Sequence, residues 1–131
     1  FSDATPQAHD DPRLAAVVAG VPLAADFDPA SLATPRVPLG LITVGRDRWL
    51  PARFHSGVIL AACATCEHLA DLPEAGHGAL LAPPPPPGAL GGLECELICD
   101  PPGFDRAAAT ARWVGVTVDF FRRHLLEPPG R

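Results

Sequence analysis

Short apolar runs alternate with polar, proline- and glycine-bearing connections along this chain. Residues 14–21 and 37–44 are largely apolar and rich in β-branched side chains, the pattern of strands buried on both faces. Pro22 stops the first run. Pro38 belongs at the start of the second, where a missing N–H costs least. In residues 52–64, Phe54, Val58, Ala61 and Ala62 recur at helical spacing, which predicts a helix. Residues 67–72 form a third short strand candidate. Residues 104–126 predict a terminal helix, capped by Asp105, with Trp113, Val116, Phe120 and His124 on one side; a strand reading of Val114 to Phe120 competes with it. A short helix can begin at Asp28-Pro29.

This order is strand, connection, strand, helix, strand, loop, helix. Buried strands alternating with helices predict an α/β fold with a parallel sheet and right-handed crossovers. About three strands with flanking helices make an incomplete layer, so the expectation is part of a larger domain. Residues 83–92 interrupt the pattern with five consecutive prolines, a polyproline-prone surface excursion without the basic flanks of a module ligand.

Composition narrows the function classes. At 131 residues the chain is one small domain or part of a larger one. Net charge is −5, every basic side chain is arginine and no basic stripe occurs, which argues against nucleic acid. No apolar run approaches the roughly 20 residues of a membrane span. There is no methionine, the chain opens on the bulky Phe1, and its first residues lack the basic start and apolar centre of a signal peptide. The expectation is a natural product that begins upstream; cytoplasmic and exported locations both stay open.

The cysteines form two doublets, Cys63-x-x-Cys66 and Cys95-x-x-x-Cys99. Zinc, a disulfide and ordinary thiols are the alternatives. No glycine-bearing knuckle surrounds either doublet, which disfavours metal. A disulfide would involve Cys95 or Cys99, and ordinary thiols are the leading reading.

Two loops carry chemistry. Gly45-Arg46-Asp47 follows the second strand run and Gly76-His77-Gly78 follows the third. Loops at the carboxyl ends of adjacent parallel strands share one edge of the sheet. Asp47 and His77 should therefore meet, as the acid that orients a histidine and the histidine that serves as base. Glu74 and Asp71 are rival acids. His9, His55, His68 and His124 lack comparable context. The third member of a triad is absent, since no Gly-x-Ser-x-Gly elbow occurs.

These segments, with Asp11-Pro12-Arg13-Leu14 and Asp100-Pro101-Pro102-Gly103-Phe104-Asp105-Arg106, resemble the C-terminal half of the α/β-hydrolase superfamily. The likeness spans nearly all of residues 1–131. It is nearest to the dienelactone hydrolase-like branch that includes bacterial relatives of platelet-activating-factor acetylhydrolases. The resemblance implies that Asp47 is the triad acid and His77 the base of a serine hydrolase acting on carboxylic esters or lactones. It places the nucleophile and oxyanion donors in an N-terminal half upstream of Phe1, so the chain alone is expected to be inactive. The pattern departs where such relatives often carry a cysteine after the histidine, which leaves the partner of Cys99 open.

Trp49, Leu50, Leu23 and Phe27 are candidates to line an acyl pocket, with core packing as the alternative for Leu23 and Phe27. No metal and no organic cofactor is implied. The expected partners are a small ester substrate and the missing half of the fold. The competing reading is a non-catalytic interaction module of the same descent.

Overall fold

The computed structural model describes residue 5 and residues 11–126. Three strands, β1 (Val17–Gly20), β2 (Leu39–Val44) and β3 (Glu67–Leu72), form one parallel sheet in the order β1-β2-β3. The helices are α1 (Ser56–Ala62), α2 (Gly92–Ile98) and α3 (Arg106–Phe121). Short 3-10 turns cover Pro29–Leu32, Ala52–Phe54 and His77–Leu80, and a π-helical turn over Arg122–Leu126 continues α3.

The alternation of side chains along β2 divides the core in two. Leu41 faces α1 and packs with Ile59 and Ala24. Ile42 and Val44 face α3 and pack with Ala70, Leu72, Ala75 and Ala109, flanked by Trp113 and Val116. Five consecutive β2 residues from Gly40 are buried, as a strand covered on both faces requires. Phe120 is fully buried and lies over Gly40, where an added Cβ would come within 3.3 Å of its ring.

The terminal helix has the expected face and the expected cap: Asp105 accepts a hydrogen bond from the Ala108 N–H at 3.0 Å. The helical alternative thus wins over the strand for Val114 to Phe120. The Asp28 cap is also present, its side chain accepting from the Ala30 N–H.

Several expectations are corrected. Only residues 17–20 of the first apolar run pair as strand, and β1 is half-buried rather than covered on both faces. It is an edge of the described sheet, and Val21 leaves the strand at a φ of 52°. The helix expected over 52–64 is broken at His55, whose φ and ψ of −129° and −96° are not helical. Its ring Nδ1 accepts the Ala24 N–H at 3.2 Å, tying the break to the segment after β1. Ile59 consequently becomes the buried apolar residue of α1, beside the buried Ser56, while Phe54 is exposed beneath the Arg53 guanidinium. The helix α2 was not anticipated. Ordinary thiols and zinc both give way to two disulfides, Cys63–Cys66 and Cys95–Cys99. The first joins the end of α1 to the start of β3, and the second closes a single turn at the end of α2. His9 lies outside the described residues.

Candidate functional site

The loops after β2 and β3 leave the same edge of the sheet because the two strands are parallel neighbours in register, with Val44 opposite Leu72. Pairing continues past the strands: the Gly45 N–H donates to the Leu72 carbonyl at 3.0 Å and the Arg46 N–H to the Ala75 carbonyl at 2.9 Å. Gly45 is obligatory here, since a Cβ would sit 2.3 Å from the Pro73 carbonyl oxygen. An ion pair between Arg46 and Glu74 closes the rim above. Glu74, the nearest rival acid, is thereby engaged away from the histidine. Asp71 accepts from the Thr43 hydroxyl at 2.8 Å, and the same hydroxyl contacts His68 Nε2 at 2.9 Å.

Asp47 is the acid that reaches the histidine. Its Oδ2 lies 2.8 Å from His77 Nδ1. Its Oδ1 accepts two backbone N–H groups, from Trp49 and Leu50, both at 2.8 Å. The carboxylate is completely shielded from solvent and the His77 side chain is 28% exposed. Both carboxylate oxygens have partners, which a buried charge requires. A carboxylate can only accept, so the proton of this bond belongs to Nδ1, and in the neutral ring Nε2 is left as an acceptor.

His77 opens into a cleft of about 620 Å³, within the usual size of a small-molecule site. Arg46, Asp47 and Arg48 line one side; Cys95, Glu96, Cys99, Asp100, Pro101 and Pro102 line the other. Among the described residues no serine or threonine lines it, and its two cysteines are joined to each other.

Comparisons with protein-family models, with curated proteins and with solved structures gave no match.

The remaining sequence candidates sit elsewhere. Trp49, Leu50, Leu23 and Phe27 are not among the residues lining this cleft. Leu23 and Phe27 are about half exposed, so core packing does not account for them either. Trp49 and Leu50 donate through their main chain to Asp47 and hold it. Sequence reasoning missed the far wall of the cleft, which α2 and the segment after it supply. The only trace of it is the Leu93, Leu97, Ile98 spacing, too short beside the proline run to register as a helix.

Among the described residues no group of three or more histidine, cysteine or acidic side chains could hold a metal ion, and no helix is long and apolar enough to cross a membrane.

Proposed function

We propose that this chain supplies the acid and the base of a serine hydrolase acting on carboxylic esters or lactones, as the C-terminal part of an α/β-hydrolase domain. The observation that carries the reading is the Asp47–His77 pair, formed by loops at the carboxyl edge of adjacent parallel strands and facing a cleft. The sequence likeness to the α/β-hydrolase superfamily supports it.

In the complete enzyme, a serine from sequence outside this chain attacks the acyl carbon while His77 Nε2 takes its proton. Asp47 holds the ring and stabilises the imidazolium as it forms. His77 then returns the proton to the leaving alkoxide, and a water activated in the same way hydrolyses the acyl-enzyme. Among the described residues the cleft lacks a serine, a threonine or a free thiol, and this is why the nucleophile is assigned elsewhere. That same lack favours the second reading, a non-catalytic module that binds a partner.

Sequencing the coding DNA upstream of the Phe1 codon is the first test. A Gly-x-Ser-x-Gly between a strand and a helix, in frame, supports the enzyme, and its absence favours the binding module. With the extended protein, ester hydrolysis should fall by orders of magnitude in His77→Ala with the fold intact. Undiminished turnover in that variant would overturn the assignment.

A further inference from the structure

The turn that carries His77 is held from behind by a residue outside the acid–base pair. Arg106 is the first residue of α3, yet its side chain is only 4% exposed. Burying a guanidinium costs several kcal/mol unless its donors are matched, and here all three nitrogens are used. Nη1 donates to the Leu81 carbonyl at 3.0 Å, Nη2 to the Ile98 carbonyl at 2.5 Å, and Nε to Asp100 Oδ2 at 2.7 Å. The other oxygen, Asp100 Oδ1, is buried without a hydrogen bond among the described residues, so the ion pair with Arg106 is what offsets the burial of that carboxylate.

Those three acceptors belong to the end of the His77 turn and to the 98–101 segment that backs it. Leu81 closes the turn, its N–H donating to the Gly78 carbonyl at 3.0 Å. Ile98 ends α2 and lies directly behind Gly78, where a Cβ would fall 2.5 Å from the Ile98 Cα. Asp100 and Pro101 follow, with Pro101 Cδ 3.2 Å from the position a Cβ would take at Gly76. The His77 turn thus lies between the sheet edge, which grips its ring through Asp47, and the 98–101 segment, which backs both flanking glycines. A rigid fork with donors in three directions can tie these pieces to the head of α3 at once; an ammonium group on a flexible stem cannot.

We infer that Arg106 is a positioning residue for His77: it locks the Gly76–Leu81 turn against the α2 exit so that the imidazole is held on Asp47. This inference rests on the reading of His77 as the base, but its first test does not need turnover. Asp100, also part of the cleft wall, takes its place through the same clamp.

The experiment is proton and nitrogen NMR of His77 in the 131-residue chain, comparing wild type with Arg106→Gln and Arg106→Lys. The Nδ1 proton bonded to a buried carboxylate gives a far-downfield resonance that disappears if the ring leaves Asp47. The expected result is loss or strong exchange broadening of that resonance in both variants, with far-ultraviolet circular dichroism retained. Arg106→Lys keeps the charge and most of the volume, so it carries the test if Arg106→Gln fails to fold. A His77 Nδ1 proton resonance unchanged from wild type in a folded variant overturns the inference. In the extended enzyme, Arg106→Lys should lower kcat about tenfold or more with KM little changed. If His77→Ala remains fully active there while Arg106→Lys still loses the downfield proton, the hydrolase reading fails and the clamp stands.

Discussion

Among the described residues two histidines pair with carboxylates, and the two pairs differ in almost everything except the contact itself. At the sheet edge, His77 meets an Asp47 carboxylate that is fully buried and bound by two backbone N–H groups. At the far end of α3, His124 Nε2 contacts Glu67 at 2.5 Å, on a carboxylate 37% exposed and shared with Arg123. The first pair uses Nδ1 and leaves Nε2 on the cleft side. The second spends Nε2 on the acid, while its ring lies 4.5 Å from that of Phe120. A His–acid contact therefore does not by itself mark a site. What distinguishes the first is a desolvated acid held by backbone N–H groups, and a histidine that lines a cleft.

The largest difference should appear in catalysis. In the extended enzyme, Asp47→Asn should lower kcat by about four orders of magnitude, because the amide no longer enforces the tautomer that makes Nε2 a base. Glu67→Gln should leave turnover at the wild-type level. Equal losses in a steady-state ester assay would erase the distinction between the pairs.

Stability should separate them next. Asp47→Ala leaves the Trp49 and Leu50 N–H groups without their acceptor, a cost of about 1–3 kcal/mol in urea unfolding. Glu67→Ala removes a partly exposed surface contact, which is worth below about 1 kcal/mol.

Two glycines sharpen the comparison further. Gly78→Ala drives a methyl into the Ile98 backbone and should destabilise by roughly 1–3 kcal/mol. Gly115→Ala in α3 meets nothing within 4 Å and should stabilise by up to about 1 kcal/mol through helix propensity. Opposite shifts in thermal midpoint are the expected readout.

The smallest effect is in pH. The hydrogen bond from His124, aided by that from Arg123, holds the Glu67 carboxyl below its ordinary value of 4.5. A depressed carboxylate adds stability that is complete above its unfolded pKa and lost as pH falls through the lower folded one. Wild type should therefore lose more stability than Glu67→Gln on acidification below about pH 4.5, by a few tenths of a kcal/mol once solvent screening is counted. Parallel denaturation curves across that range would show the pair to be energetically silent.

Much of this was legible in the residues. Glu67–Leu72 has the bounds its apolar pattern predicts, and the face of α3 carries the expected Trp113, Val116, Phe120 and His124. Asp47 and His77 could be paired before any coordinates, because parallel neighbours must bring their following loops to one edge. The limits are equally specific. His55 reads as helical, and only its bond to the distant Ala24 N–H shows why the helix breaks there. Trp49 and Leu50 read as pocket residues by side-chain type, and nothing in the sequence shows that their main chain holds Asp47. Cys95 and Cys99 read as thiols until α2 brings them within one helical turn of each other.

Local periodicity and strand order by themselves determined the parallel α/β arrangement, the sheet edge that bears the acid and the histidine, and the absence of a serine elbow. Those features depend on alternation, helical repeat and residue type, which are properties of neighbours along the chain. Only the tertiary structure decided that the rival acids Asp71 and Glu74 are engaged by Thr43 and Arg46, and that Arg106 is buried behind His77. These depend on desolvation and on carbonyls that lie 25 and 8 residues from Arg106 along the chain, and a linear pattern does not encode which distant acceptors a long flexible side chain will meet.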